Sequence, residues 1–249
     1  MHKVRVMTWN IHEGIGEDGL YDLGRVERAI RLTDPDLVAL QEVGRCWSAA
    51  SRFEDQLLLL ALRLNFHPFF APIVKQGAQE QRQYGCGLLS RWPWKSVEDH
   101  GLTRIGTFDP EKRVRHLPGF PHGTVMRGEV RLHFFGTHLY WRDAGIRRRE
   151  AEEMLAIIEP LARRGEPVIL AGDMNAEVGD TELEPLVRSD LLYDAGPPGL
   201  TYPARSPRRR IDLVFVTRGV RVSNALVIND EVASDHRPVI VDLELPGVG

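Results

Sequence analysis

The chain has 249 residues, 43% hydrophobic and 27% charged, with a formal net charge of -3. That is the composition of an ordinary globular protein, long enough for one large core or two modest ones, with no global charge to steer it onto a polyanion. Two cysteines, Cys46 and Cys86, exclude a disulfide framework and fit a reducing compartment as small buried residues.

Val4, Val6 and Met7 begin a strand pattern at once, so no leader-like segment opens the chain and a cytoplasmic location is expected. That strand runs to Trp9 and stops at Asn10 before a Gly-containing loop. Leu23, Val26 and Ile30 have the spacing of one helix face, and Leu37 to Leu40 reads as a buried strand with Gln41 and Glu42 at its end. Phe53, Leu57, Leu60 and Leu64 mark a second helix. Its run Leu57 to Leu62 is the longest apolar stretch and too short for a bilayer, so no stable membrane insertion is expected. Phe66 to Val74 and Cys86 to Ser90 are predicted strands.

Residues 105–123, rich in Gly, Pro and His, are predicted to be an exposed loop. Within it, Leu117-Pro118-Gly119-Phe120-Pro121 is the only candidate for an apolar membrane-touching hairpin. From Met126 the alternation is regular: Met126, Gly128, Val130, Leu132 and Phe134 face one way and Arg127, Glu129, Arg131 and His133 the other, up to His138. Met154, Leu155, Ile158 and Leu161 give a third helix, with Arg147, Arg148 and Arg149 at its start as solvated charge. Pro167 to Ala171 is a buried strand followed by the turn Gly172-Asp173-Met174-Asn175. Ile211 to Val216, Val220 to Ile228 and Val239 to Leu243 complete the strands. Helices and strands alternate along the whole chain, so a single α/β domain over residues 1–249 with large sheets is predicted.

One placement recurs among the polar residues. Asn10, Glu42, His138, Asp173 and Asn175 each close an apolar strand; Asp212 opens one, and Asp235 and His236 precede another. Strand ends hold side chains on rigid backbone at the solvent boundary. Carboxylates and amides gathered there suit a hard cation, magnesium or manganese, and His with Asp suits acid–base work on a phosphate. His116, His122 and His133 lack zinc-motif spacing, and no His-Glu-x-x-His is present.

Thr8-Trp9-Asn10-Ile11-His12, Leu40-Gln41-Glu42, Gly85-Cys86-Gly87-Leu88-Leu89-Ser90, Gly136-Thr137-His138-Leu139, Gly172-Asp173-Met174-Asn175, Arg210-Ile211-Asp212 and Ser234-Asp235-His236 occur in this order. Each is weak alone; seven in order over one domain length are not. The chain thereby resembles the endonuclease/exonuclease/phosphatase superfamily, and its opening through Glu42 resembles a bacterial subgroup of metal-dependent hydrolases. The resemblance implies a four-layer α/β sandwich, two mixed β-sheets face to face with helices on both outer sides, and an active site at one rim. It implies Glu42 as the principal ligand of Mg2+ or Mn2+, with Asn10 and Asp235 beside it.

Asp173 would be the general base and Asn175 a donor to a phosphate oxygen. His236, oriented by Asp212, would bond the scissile phosphate, and His138 would donate to the phosphate or protonate the leaving oxygen. Tyr84 departs from relatives that carry an acid there. Tyr84, Arg127 and Arg210, the last in the loop Arg205, Arg208, Arg209, Arg210, are candidate contacts to substrate phosphate, and the role of His12 stays open. Trp141 and Arg142, just after His138, are candidates for a substrate wall. The reaction expected is metal-dependent hydrolysis of a phosphate ester, most simply a diester, by an Asp-activated water. A small or lipid-derived phosphodiester and a nucleic acid both stay open as substrate, and a monomer is the default. The alternative is a non-catalytic phosphate-ligand binding module on the same fold.

Overall fold

The computed structural model describes residues 2–77, 79–102, 114–116 and 119–247. Two βαβ units supply the framework. In the first, β1 (His2–Asn10) runs parallel to β2 (Leu37–Arg45), and α1 (Leu23–Thr33) makes the crossover. The first sheet grows outward from that pair through α2 (Gln56–Leu64), β3 (His67–Gln76) and β4 (Arg82–Ser90). After them come β5 (Ser96–His100), β6 (Val114–His116), β7 (Phe120–Arg127) and β8 (Val130–His138). The second unit pairs β8 in parallel with β9 (Val168–Asp173) across α3 (Ala144–Arg163). The chain ends through the short α4 (Glu184–Val187), β10 (Leu192–Asp194), β11 (Asp212–Thr217), β12 (Arg221–Val227) and β13 (Val239–Leu245).

Among the described residues the strands form two mixed sheets, a seven-stranded one in the order β12-β13-β1-β2-β4-β3-β6 and a six-stranded one in the order β10-β11-β9-β8-β7-β5. Alternation decides what each face meets. Val4, Val6, Leu37 and Ala39 point from the first sheet onto Leu132, Phe134, Ile169, Ala171 and Val214 of the second, forming the central core. The opposite faces of β1 and β2, with Met7, Trp9, Val38 and Leu40, pack under Val26 and Ile30 of α1 and Leu57 and Leu60 of α2. On the far side, Phe135, Leu170 and Phe215 meet Ala151, Met154 and Ile158 of α3. The result is helix, sheet, sheet, helix. Asp22, Asp55 and Asp143 cap α1, α2 and α3 by accepting from the backbone N–H groups of Gly24, Leu58 and Ile146. No helix among the described residues is long and apolar enough to cross a membrane.

Several sequence expectations change. The alternation from Met126 is two strands, not one: β7 and β8 form a hairpin whose turn is Gly128-Glu129, with Gly128 at φ +61. A two-residue turn shifts the period by one: Arg127 pairs with Val130 and Met126 with Arg131, so Met126 is exposed on the face opposite buried Val130, Leu132 and Phe134, contrary to the expected grouping. Phe120 and Pro121, assigned to an exposed loop, are buried in β7; residues 105–113 and 117–118, including the start of the Leu117–Pro121 candidate, lie outside the described residues. Phe53 stands outside α2 in a left-handed bend and is exposed, as is Cys46. Arg147 is bound rather than solvated, pairing with Glu182 and donating to Tyr140 O, while Arg148 stays exposed and donates to Thr181 O; both tie α3 to the segment before α4.

The outer face of the second sheet also carries a row of rings. His100 Nε2 lies 3.1 Å from His122 Nδ1, His122 Nε2 lies 2.9 Å from His133 Nδ1, and His133 Nε2 lies 2.5 Å from Glu166 Oε2. Burial, with His133 and His100 adding to it, lowers the His122 pKa to about 3. An unfolded histidine titrates near 6.5, so between roughly 6.5 and 3 the unfolded chain takes up a proton that folded His122 refuses. Stability present above that window is therefore lost as pH falls through it. Urea midpoints measured from pH 7 to pH 5 with a chelator present should fall less steeply in His122→Gln than in the parent; equal slopes would remove His122 as a cause.

Candidate active site at the strand ends

Both parallel pairs deliver their C-terminal ends to the same rim. Asn10 stands beside Gln41 at the end of the β1–β2 pair, and His138 beside Asp173 at the end of the β8–β9 pair. Asp212 opens the antiparallel β11 directly opposite Asp173, and Asp235 and His236 enter just before β13. Residues far apart in sequence meet there because the two βαβ units face each other.

Asp173 is the centre of the network. Its Oδ1 accepts from the Asn175 backbone N–H at 2.8 Å, and its Oδ2 accepts from Asn10 Nδ2 at 3.1 Å. The same Oδ2 lies 3.5 Å from His138 Nε2 and 3.7 Å from His236 Nε2. On its other side, His236 Nδ1 lies 2.9 Å from Asp212 Oδ2. Burial opposes a charge on His236, but Asp212 and Asp173, one toward each ring nitrogen, outweigh it and raise its pKa to about 10. Burial in turn raises Asp212, against the pull of His236. His236 is thus an imidazolium at neutral pH with Nδ1–H committed to Asp212 and Nε2–H turned toward Asp173 and the rim. Asp173, Asp212 and His236 offer ligand atoms within 4.8 Å of one another, with the ring lying between the two carboxylates.

Glu42 reaches the rim by a backbone irregularity. The expectation put it at the end of its strand; β2 continues to Arg45, and its register with β4 shifts between Leu40 and Val43. Glu42 sits in that bulge at φ +57. His12, Glu13 and Asn175 at the same rim also have positive φ, of 46°, 54° and 50°. Such a conformation costs an ordinary side chain about 1–3 kcal/mol, and its concentration here shows backbone bent to aim side chains.

Glu42 Oε1 accepts from Asn10 Nδ2 at 3.1 Å, and the Tyr84 hydroxyl donates to the Glu42 carboxylate. Burial raises the Tyr84 pKa first, and the charges of Glu42, Glu13 and Asp235 raise it further. Tyr202 is raised by burial and then by Asp235 and Asp173. Both phenols thus lie among the carboxylates of this rim. An oxygen-rich, net negative site of this kind fits a hard divalent cation, with Glu42 and Asp235 as donors. Asn10 fits differently from expectation: its Oδ1 accepts from the His12 N–H at 3.1 Å and its nitrogen faces both carboxylates, so it spaces Glu42 from Asp173.

Two candidate phosphate contacts are corrected. Arg127 lies at the turn end of the β7–β8 hairpin, while His138 is the last residue of β8, so the length of the strand separates them; its guanidinium lies over the Trp92 ring at 3.9 Å. Arg210 pairs in bidentate fashion with Asp194 at 2.7 and 2.8 Å and donates to Pro197 O, which consumes its guanidinium. Arg209 is the member of that loop that reaches the site, donating to Asn175 O at 3.3 Å. Asn175 Nδ2 is itself bound to Leu139 O at 2.9 Å. A cleft of about 150 Å3 opens beside Glu42, Tyr84, His138 and Trp141, and Trp141 is exposed at its edge with Arg142 over its ring.

Other residues at the rim are not among those the sequence marks. Tyr202 packs its ring on His236 at 4.6 Å between centroids. Ser234 Oγ donates to Asn10 O at 2.7 Å and accepts from the His236 N–H, tying the segment before β13 to the end of β1 in the same sheet. Trp9 Nε1 donates to His236 O at 2.8 Å. Ser234 and Trp9 stand inside the Ser-Asp-His and Thr-Trp-Asn-Ile-His motifs, which is a signal that could have found them; Tyr202 lies in a loop with no periodicity to mark it.

The model of the Endonuclease/Exonuclease/phosphatase family matches residues 7–236. No curated protein matches this chain in sequence. Among solved structures, an endonuclease/exonuclease/phosphatase from Beutenbergia cavernae is similar at 27% identity, covering 99% of this chain and 72% of that one with a TM-score of 0.78. A mannosyl-6-phosphatase from Bacteroides thetaiotaomicron is 17% identical over 97% of this chain and 100% of its own, with a TM-score of 0.76. The human Nocturnin catalytic domain, solved with a bound sulfate anion, is 19% identical over 97% and 94%, with a TM-score of 0.70.

Proposed function

The chain belongs to the endonuclease/exonuclease/phosphatase family, whose members are generally phosphoester hydrolases, and on that footing we propose a divalent-metal-dependent phosphodiesterase acting through an Asp173-activated water. The observation that carries this is Asp173 Oδ2 with the Nε2 atoms of both His138 and His236 within 3.5–3.7 Å. One carboxylate oxygen and two imidazole donors then surround the space a phosphate would enter.

Asp173 takes the proton of the attacking water, its carboxylate held in place by Asn175 N–H and Asn10. His236 donates Nε2–H to a non-bridging phosphate oxygen, and Asp212 keeps its ring oriented and charged. His138 donates to the phosphate or to the leaving oxygen. Asn175 would have to exchange its bond to Leu139 O for one to phosphate. Glu42 and Asp235 would hold Mg2+ or Mn2+, which supplies Lewis-acid polarisation of the phosphoryl group. Tyr84 steadies Glu42, in place of an acid at that position. The work belongs to a single domain over residues 1–249, an assignment supported by β1 pairing with β13 from opposite ends of the chain. The net charge of -3 favours a small or lipid-derived diester over tightly bound duplex nucleic acid.

Hydrolysis should be sought on diester, monoester, DNA and phospholipid panels in magnesium and in manganese. Activity is expected on at least one diester, abolished by chelation and restored by either metal. Glu42→Gln should lose most of that activity and keep the parent's unfolding midpoint, since a rim carboxylate contributes little to the core. Full turnover in a verified metal-free preparation would refute the metal requirement. Tight binding of a phosphate ester by parent and variant with no turnover in either would favour the binding module.

A further inference from the structure

The rim leaves unused the side chains on the outer face of the second sheet at its β5 edge. Register puts them together. Glu98 of β5 lies directly opposite His122 of β7, and His100 is two residues along β5 on the same face. His122 is opposite Phe135 and Thr124 opposite His133, so His133 shares that face. His122 stacks on Phe135 at 4.0 Å between centroids.

Counting protons along the row shows where a lone pair is left. Glu166 Oε2 lies 2.5 Å from His133 Nε2, and as a carboxylate it can only accept there. In the tautomer in which His133 donates to Glu166, His122 Nε2 donates to His133 Nδ1 across 2.9 Å and its Nδ1 presents a lone pair. Its Nδ1 lone pair therefore faces His100 Nε2, 3.1 Å away. A metal-ligating histidine characteristically donates its other nitrogen to a carboxylate, and here that link passes through His133 to Glu166.

We propose that Glu98, His100 and His122 bind a divalent transition-metal ion of the zinc class, in a second site apart from the catalytic rim. Ligand atoms of all three lie within 4.8 Å of one another. Two nitrogens held at 2.0–2.1 Å by a tetrahedral ion are separated by about 3.3 Å, close to the spacing already present. Two imidazoles and one carboxylate form a borderline donor set that prefers zinc to the magnesium or manganese suited to the rim. The site is open to an incoming ion: β5 is an edge strand, and the side chain of Glu98 is 67% exposed. Filling it would fasten that edge strand to β7 and stabilise the folded state by mass action.

The test uses the full chain, stripped with a chelator and titrated with Zn2+ against a chromogenic competitor, and separately with Co2+ for its visible spectrum. In Glu42→Gln, which lacks the rim carboxylate, one Zn2+ should still bind, raise the unfolding midpoint, and be replaced by Co2+ with tetrahedral bands. His100→Ala and Glu98→Gln, both at the open edge, should lower Zn2+ affinity at least tenfold and lose the midpoint rise and the Co2+ bands. His122→Ala would also remove the stack on Phe135, so the edge variants carry the test. Unchanged affinity and spectrum in His100→Ala would place the ion elsewhere and overturn the proposal. Absence of binding by the parent would overturn it equally, leaving a row held by hydrogen bonds alone.

Discussion

Asp173→Asn is expected to slow single-turnover hydrolysis at least about a hundredfold, roughly 2.7 kcal/mol of barrier, while substrate affinity stays near the parent's. The substitution keeps the side chain's shape and its position at the end of β9. Its remaining oxygen can still accept from Asn175 N–H, as Asp173 Oδ1 does at 2.8 Å. The new amide nitrogen would face Asn10 Nδ2, which lies 3.1 Å from Asp173 Oδ2, so two donors would meet, and turning the Asn10 oxygen inward would cost its bonds to His12 N–H and to Glu42 Oε1. That local exchange should show as a modest loss of stability. The rate loss should be far larger, because an amide cannot accept the water's proton. Direct binding beside single-turnover rates separates the two effects, and a variant that turns over like the parent would remove Asp173 as base.

His236→Ala should lower the rate by on the order of a hundredfold or more, and it should also weaken the fold. Asp212 is almost fully buried, and its partner His236 supplies the compensating charge at 2.9 Å. Breaking a buried pair by removing one member typically costs about 3–5 kcal/mol, because the other charge is left uncompensated. The double variant His236→Ala with Asp212→Asn removes that stranded charge. Its unfolding midpoint should recover toward the parent while its rate stays as low as that of His236→Ala. If rate recovered together with stability, His236 would be a structural residue and the phosphate contact would belong elsewhere.

The alternation of Val4, Val6 and Thr8 against Met7 and Trp9 marks the two faces of β1, and the helix spacing of Leu23, Val26 and Ile30 marks the buried stripe of α1. These are local regularities with a fixed period, so sequence carries them. The placement of polar residues at strand ends is equally legible, since a strand stops where its apolar run stops. The four-layer sandwich, in contrast, follows from the order of seven motifs, because no local pattern says which sheet a strand joins. The β7–β8 turn escapes a sequence reading for a related reason: an alternation can be written straight through it although the facing parity flips there, so Arg127 looks near to His138 when the hairpin puts it at the far end.

Composition and periodicity alone determined an α/β chain with hydrophobic strands and a set of acids, amides and histidines at their ends. Tertiary structure decided which of those ends meet. Asn10 spaces Glu42 from Asp173 only because two βαβ units face each other, and Glu42 points there only because a bulge turns its backbone to φ +57. Arg210 is lost to Asp194, and Tyr202 gained against His236, by loop packing that has no period to read. His100, His122 and His133 show no ligand spacing along the chain, yet strand register sets their ring nitrogens 2.9–3.1 Å apart, because a sheet brings together residues by lateral pairing and not by sequence distance.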